Sequence, residues 1–167
     1  MTRRQPIGGA FLILAFVLAI ARGEALPPAP DIALPNERGE TVRLADFKGK
    51  VVIVDFWASW CPPCKASFPA LDALYREQRT AGVEVLAVNV DERRKDADAF
   101  LARHPHDLTV LLDPKGASAE AFNVQGMPSS FVVDRSGVIR FTHMGYSGNV
   151  DASYRREIAQ LLSERQP

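Results

Sequence analysis

The sequence lacks the features that mark several common classes of protein. Its 20 basic and 20 acidic residues give no net charge, so no basic excess is present to attract nucleic acid. Cysteine and histidine are scarce, with two and three residues. A zinc site needs about four ligands, so histidines would have to join both cysteines. His104, His106 and His143 could make up the number, but each is more often an ordinary loop or surface residue. No repeat or low-complexity segment is present, and 167 residues with 47% hydrophobic content predict one globular domain.

The N-terminus has the composition of a secretory signal. Arg3 and Arg4 precede an unbroken apolar run over 10–21, and Arg22-Gly23-Glu24-Ala25 follows it. We expect residues 1–25 to be a signal peptide, because the run is shorter than the ~20 apolar residues of a membrane span. An uncleaved inner-membrane anchor is the alternative. Export would place the chain in the periplasm, where disulfide bonds persist.

Strands alternate with helices along the rest of the chain. Residues 26–30 are rich in proline and predict an extended linker, and residues 31–165 predict the folded domain. The domain begins with a hairpin that turns at 36–39, and a second hairpin turns at 134–137. The charged run 91–96 is interpreted as a solvated loop and helix start. The other expected elements are buried strands over 51–57 and 83–90, a short strand over 109–112, and helices after Cys64, over 96–104, over 117–122 and at the end of the chain, where Tyr154 lies on the apolar face. This order predicts an α/β fold with a mixed central sheet flanked by helices.

The two cysteines lie in Cys61-Pro62-Pro63-Cys64, shortly after an apolar strand pattern. Apolar residues at helical spacing follow Cys64, so the pair is expected to begin a helix. There the unpaired N–H groups and the helix dipole favour ionisation of the Cys61 thiol. Pro62 suits the first helical position, because the helix could not use its N–H anyway. Cys64 would lie one turn further in, more buried and less nucleophilic.

A pair of this kind can carry out thiol-disulfide exchange. A thiolate at Cys61 attacks a foreign disulfide, and Cys64 resolves the mixed disulfide that forms. A structural disulfide and half of a zinc site are the other interpretations, and the position between strand and helix favours the redox pair. The chemistry needs no organic cofactor and no metal.

With these motifs the chain resembles the thioredoxin superfamily, and in particular its exported TlpA/ResA-like branch of thiol-disulfide oxidoreductases. The resemblance extends over about 30–162, and the N-terminal hairpin and the helix over 96–104 look like additions typical of that branch. The residues that carry it are the stretch 55–64, Pro69, Val88-Asn89-Val90-Asp91, Gly126-Met127-Pro128-Ser129-Ser130-Phe131 and Gly145. The resemblance implies a thioredoxin-like fold, substrate proteins with disulfides, and re-reduction by a membrane electron relay. We expect a monomer.

The resemblance also implies a substrate-binding region beside the cysteines. The Met127-Pro128 peptide bond is expected to be cis and to face the cysteine pair. This would leave the backbone of Met127 free to pair with an extended substrate segment. Trp60, Pro62 and Pro63 are assigned to the same substrate-contacting rim. An ordinary turn before a strand is the alternative for Met127-Pro128.

Two positions depart from the resemblance where protons are transferred. ResA-like proteins usually have a glutamate three residues after the second cysteine, and this chain has Ser67 there. Thioredoxin has an aspartate in the strand before the pair, matched here by Asp55, and a lysine partner for it, matched here by Ala87. We assign the proton-relay role to Asp55, whose pKa burial should raise. A local cap or hydrogen bond is the alternative, and the missing glutamate weakens cytochrome c maturation as the specific task.

Two further functions stay open. Peroxide reduction occurs on the same fold, but the chain lacks a Thr-x-x-Cys arrangement. A copper-binding chaperone would use Cys61, Cys64 and His143, although copper-carrying relatives usually space their cysteines by three residues and not by two. The sequence favours a periplasmic protein-disulfide reductase with Cys61, Cys64 and Asp55 as its catalytic residues.

Overall fold

A five-stranded sheet forms the centre of the part of the chain that the structure describes. The computed structural model describes residues 26–147 and 150–164, so the signal peptide predicted over 1–25 lies outside the described residues. Within these ranges no helix is long and apolar enough to cross a membrane. The strands are β1 (Ala33–Pro35), β2 (Thr41–Arg43), β3 (Val51–Trp57), β4 (Val83–Asn89), β5 (Thr109–Leu112), β6 (Ser129–Val133) and β7 (Ile139–Met144). The α-helices are α1 (Pro62–Gln78), α2 (Arg94–Leu101), α3 (Ala117–Ala121) and α4 (Val150–Ser163).

The strand order in the central sheet is β5-β4-β3-β6-β7. β3 is the middle strand, since it pairs in parallel with β4 and antiparallel with β6. β5 extends the parallel half of the sheet, and β7 extends the antiparallel half. This topology confirms the predicted mixed sheet. β1 and β2 form a separate antiparallel pair, which confirms the predicted N-terminal hairpin.

Both faces of the central sheet are covered. All 7 residues of β3 and all 7 residues of β4 are buried, which is why both strands are mostly apolar in the sequence. Ile53 and Trp57 belong to a hydrophobic cluster with residues of α1, α2 and α4. Val54 and Phe56 belong to a second cluster that includes residues near α3 and the N-terminal hairpin. Because side chains alternate along a strand, Asp55 points to the same face as Ile53 and Trp57, the face that α1 covers.

The helix expected over 96–104 is shifted in the structure, where α2 runs over Arg94–Leu101. It begins earlier because Arg93 is the last extended residue before it. It ends earlier because the amides of Arg103 and His104 bond to carbonyls three residues back, a tightening that is common in the last turn of a helix.

The proline-rich stretch before the domain is attached to it. Pro28 forms an isolated antiparallel bridge with Val138, and the Ala29 amide donates to the Gly137 carbonyl at 2.8 Å. Ala29 also packs against the hydrophobic cluster beneath the N-terminal hairpin. The segment expected as a linker is therefore held along the turn between β6 and β7.

Phe56 tests the packing on the face of the sheet opposite to Asp55. Its ring is fully buried, and the ring centroids of Phe122 and Phe131 lie 5.3 Å and 5.9 Å from its own. We expect Phe56→Ala to lower the free energy of unfolding by about 3–5 kcal/mol, because it leaves a cavity in a close-packed cluster. Urea denaturation measures this loss. Phe47→Ala, which truncates a partly exposed ring, is the control, and an equal loss in both variants would contradict the assignment.

Candidate active site

Cys61 and Cys64 form a disulfide at the N-terminus of α1, shortly beyond the end of β3. The sulfur atoms are 2.05 Å apart, and the Cα atoms are 5.3 Å apart. Cys61 is the N-cap residue of α1, and Pro62 fills the first helical position, as the sequence predicts. Pro63 fills the second helical position. The structure thus describes the oxidised form of the pair.

The start of α1 provides a favourable environment for negative charge on Cys61. Pro62 and Pro63 have no N–H, so the first amide of the helix is that of Cys64, and it donates to Cys61 Sγ at 3.2 Å. The positive end of the helix dipole lies at the same point. Cys61 is 3% exposed and Cys64 is 0% exposed, so Cys61 is the more accessible of the two. After reduction, these features favour Cys61 as the thiolate.

A buried carboxylate holds the loop that leads from β3 to the disulfide. Asp91 is 3% exposed, so the interpretation of 91–96 as a solvated segment is wrong at its first residue. Its oxygens accept hydrogen bonds from the Ser59 amide at 3.1 Å, from Ser59 Oγ at 3.1 Å and from Asn89 Nδ2 at 2.8 Å. These bonds tie the loop to the end of β4. This role of Asn89 and Asp91 was not predicted from the sequence. The signal that could have indicated it is the motif Val88-Asn89-Val90-Asp91, which is one of those that carry the resemblance.

Asp55 is buried between Ala87 of β4 and Ser130 of β6. Its Oδ1 accepts a hydrogen bond from Ser130 Oγ at 2.6 Å, whereas its Oδ2 has no hydrogen-bond partner among the described residues. Burial raises the pKa of Asp55 to about 7, and the Ser130 hydrogen bond offsets part of that rise. The sequence predicts this direction for a carboxyl in an apolar strand. Asp55 can therefore gain or lose a proton near neutral pH.

Ser67 and Ala87 occupy the positions at which the resemblance leads one to expect a glutamate and a lysine. Ser67 is buried, and its Oγ donates to the Cys64 carbonyl at 3.1 Å within α1. Ala87 is buried opposite Asp55 across the β3–β4 pair. Neither side chain can bring a charge to the site, so the protonation state of Asp55 depends on its other neighbours.

Exposed apolar side chains lie next to the disulfide. Trp60, which directly precedes Cys61, is 62% exposed, and Pro62 and Pro63 are exposed as well. Together they place exposed apolar side chains directly beside the disulfide. These three residues lie where the sequence predicts the rim of the site.

The loop before β6 reaches the same region. Met127 packs against the hydrophobic cluster that contains both cysteines, and the Met127-Pro128 peptide bond is cis. The Pro128 carbonyl accepts a hydrogen bond from the Gly145 amide at 2.8 Å, which joins the loop to the end of β7. Met144, the last residue of β7, is 68% exposed.

His143 does not join the cysteines in a metal site. Its Nε2 lies 2.8 Å from Glu157 Oε2, and its ring packs edge-on against the ring of Tyr154. In the described ranges, no group of three or more His, Cys, Asp or Glu side chains is placed to hold a metal ion. The geometry therefore gives the copper-chaperone alternative no support.

This arrangement permits reversible disulfide chemistry at Cys61 and Cys64. The Cys61–Cys64 bond can be opened by two electrons and formed again, and the start of α1 stabilises the thiolate that results. Asp55, with a pKa raised to about 7, lies on the face of the sheet that α1 covers. Together with the mixed sheet, this places the protein in the class of thioredoxin-like domains.

Comparison with known proteins agrees with this class. A family model described as Redoxin matches residues 24–158, and the chain belongs to this family of the thioredoxin superfamily. The protein named thiol-disulfide oxidoreductase ResA from Geobacillus kaustophilus (strain HTA426) is 35% identical over 112 residues. The matched region covers 67% of this chain and 64% of that protein, so this chain spans less than two thirds of its relative's length.

Two solved structures show the same fold. One, from Chlorobium tepidum, is described as a thiol:disulfide interchange protein DsbE, and it has a TM-score of 0.80 and 40% identity over 83% of this chain and 97% of that one. The other is the exposed lipoprotein thioredoxin Etrx1 from Streptococcus pneumoniae strain TIGR4, with a TM-score of 0.69 and 30% identity over 79% of this chain and 100% of that one. These similarities confirm the thioredoxin-like fold expected from the sequence.

Asp55→Asn should stabilise the oxidised protein at alkaline pH. The pKa of the carboxyl is about 7 in the folded protein, against 3.8 for an ordinary Asp, so ionisation of Asp55 is harder in the folded state. The resulting cost is absent below about pH 4, grows as the pH rises toward 7 and is constant above it. The variant should gain up to about 4 kcal/mol at pH 8 and little at pH 4.

Urea denaturation of both proteins at pH 4, 6 and 8 measures this gain. Asp98→Asn, at a half-exposed aspartate of α2, is the matched control and should show no such trend. A stability difference for Asp55→Asn that did not change with pH would contradict the assignment.

Proposed function

We propose that this protein is a periplasmic thiol-disulfide oxidoreductase that reduces protein disulfides through the Cys61–Cys64 couple. The observation that carries the proposal is the disulfide at the start of α1, on the face of the sheet where Asp55 is buried. The names of the relatives, a thiol-disulfide oxidoreductase and a thiol:disulfide interchange protein, support the same activity. The two sulfur atoms themselves hold the electron pair, so no other cofactor takes part.

Two observations support a location outside the cytoplasm. Residues 1–25 have the composition of a secretory signal, and the similar Etrx1 is described as an exposed lipoprotein. A reductase in an oxidising compartment needs a source of electrons, and we assign this role to a membrane thiol-disulfide relay. We expect the protein to act as a monomer on substrate proteins with disulfides.

The first half of the reaction forms a mixed disulfide. The reduced protein begins with a thiolate at Cys61 and a thiol at Cys64. Cys61 Sγ attacks one sulfur of the substrate disulfide, so that a bond forms between these two atoms and the substrate S–S bond breaks. The substrate sulfur that leaves takes a proton from solvent. Trp60 and the Met127 backbone hold the substrate segment beside the sulfur atoms.

The second half releases the substrate. Asp55 accepts the proton of Cys64, and the Cys64 sulfur attacks Cys61 Sγ. The mixed disulfide breaks, and the second substrate sulfur leaves and takes up a proton, which Asp55 can return. The substrate has then gained two electrons and two protons, and the protein carries the Cys61–Cys64 disulfide. A dithiol of the membrane relay reduces this disulfide by the same two exchanges.

Replacing each cysteine in turn should separate the two halves of the exchange reaction. Cys61→Ser should abolish turnover, because it removes the attacking sulfur, whereas Cys64→Ser should accumulate mixed disulfides with substrate. Turnover is measured with a disulfide-bonded peptide, and the adduct by mass spectrometry without reductant. Dithiothreitol should release the trapped peptide, which is the control. Retained turnover in Cys61→Ser would show that the nucleophile is assigned wrongly.

Asp55→Asn should slow the resolving step and spare the first attack. We expect the decay of the mixed disulfide to fall by about 10²-fold at neutral pH, since an amide cannot accept the Cys64 proton. Rapid acid quenching of the reduced protein with a peptide disulfide measures formation and decay separately. The decay in the wild-type protein should accelerate as the pH rises through about 7, where Asp55 ionises, and the variant should lose this dependence. An unchanged decay rate would remove Asp55 from the mechanism.

A further inference from the structure

A chain of two hydroxyl groups ends on Asp55. Ser130 Oγ donates to Asp55 Oδ1 at 2.6 Å, and Tyr154 OH donates to Ser130 Oγ at 2.6 Å. All three residues are buried, and they come from β3, β6 and α4. Two hydroxyls from separate elements thus form a chain whose last hydrogen bond ends on one oxygen of the carboxyl to which the proposed mechanism assigns proton transfer.

The direction of this chain follows from the protons available. An ionised carboxylate only accepts hydrogen bonds, and a serine has one hydroxyl proton to donate. Ser130 donates that proton to Asp55, so its oxygen accepts from Tyr154. Each donor polarises the next, which strengthens the hydrogen bond at Oδ1. The chain therefore favours the ionised form of Asp55.

The other oxygen of the carboxyl is left for proton exchange. Asp55 Oδ2 is buried and has no hydrogen-bond partner in the described part of the chain. A buried polar atom without a partner is rare enough to require an explanation, and a catalytic role is one. A proton that arrives at Oδ1 would disrupt the bond from Ser130. A proton that arrives at Oδ2 leaves the hydroxyl chain intact.

Other groups on this face of the sheet belong to β4 and α1. Ala87 faces Asp55 across the β3–β4 pair and brings no charge. From α1, Cys64 is buried in the cluster that covers this face of the sheet. Cys64 is the titratable group of α1 that exchanges its proton in the proposed reaction.

Titratable groups also lie beside Tyr154, at the outer end of the hydroxyl chain. The ring centroid of Tyr154 is 4.8 Å from that of His143 on β7, and His143 Nε2 lies 2.8 Å from Glu157 Oε2 on α4. Burial first, and then the charges of Asp55, Glu157 and Asp151, raise the pKa of Tyr154, so its hydroxyl stays protonated as a donor. These groups affect Asp55 through Tyr154 and its hydrogen bond to Ser130.

We propose that Ser130 and Tyr154 are positioning residues that stabilise the ionised carboxylate of Asp55 and leave its Oδ2 as the atom that accepts the Cys64 proton. This rests on the proposed function, because it explains how the proton acceptor of the resolving step is controlled. A tyrosine that served packing alone could be replaced by phenylalanine without effect on Asp55.

The test is the titration of Asp55 in the oxidised protein, followed by the ¹³C chemical shift of its carboxyl carbon. The wild-type midpoint should lie at about 7. We expect Ser130→Ala to raise the midpoint by about one pH unit and Tyr154→Phe by about half a unit, since each removes a donor that favours the ionised form. Ser130→Thr keeps the hydroxyl and should restore the wild-type midpoint. Tyr75→Phe removes a hydroxyl of α1 outside the chain and should leave the midpoint unchanged.

The same variants separate a failure of this proposal from a failure of the proposed function. The pH of half-maximal resolution of the mixed disulfide should rise together with the carboxyl midpoint. A carboxyl midpoint unchanged in folded Ser130→Ala or Tyr154→Phe overturns the hydroxyl chain, whatever the turnover. A carboxyl midpoint that rises without a change in the kinetics overturns the use of Asp55 in resolution. Tyr154→Phe keeps the aromatic ring in the core and decides the question if Ser130→Ala does not fold.

Discussion

The complete burial of β3 is the constraint on which the structure depends. This strand lies in the middle of the sheet, and hydrophobic clusters cover both of its faces. A shift of one residue in its register would move each of its side chains to the opposite cluster, so its pairing is strongly specified. The end of β3 in turn determines where α1 can begin. The disulfide thus takes its position from the strand, through a short loop that Asp91 holds to β4.

The same burial determines the pKa of Asp55, the proton acceptor of the proposed mechanism. A carboxyl in water is ionised at neutral pH and has little tendency to take up a proton. In β3 the loss of hydration disfavours the charge, and the hydrogen bond from Ser130 favours it, so the two forms have similar free energies near pH 7. The strand that contributes much of the hydrophobic core therefore also carries a group whose ionisation lowers stability as the pH rises from about 4 to about 7. In the proposed mechanism this is a local compromise between stability and chemistry.

Local patterns made a large part of this arrangement predictable. The apolar run of β3, the prolines between the cysteines and the helical spacing after them predicted the strand, the cap and the helix that position the disulfide. Contacts between distant residues carry no such pattern. Ser59 and Asp91 are 32 positions apart, and Asp55 and Ser130 are 75 apart, so their pairing depends on the folded topology. Tyr154 fits the apolar face of its helix, and that periodicity predicts its packing but not the partner of its hydroxyl.

The attachment of the proline-rich stretch places the N-terminal entry to the domain and the disulfide at opposite ends of the sheet. Pro28 bridges to Val138, in the turn that follows β6, and the end of β6 pairs with Val52 at the beginning of β3. The backbone thus enters the domain at one end of the sheet. The sulfur atoms lie at the other end, about 20 Å away along β3. If the N-terminus were tethered to a bilayer, the end of the sheet that carries the disulfide and Trp60 would point away from the lipid. Client proteins could then approach it without being obstructed by the membrane surface.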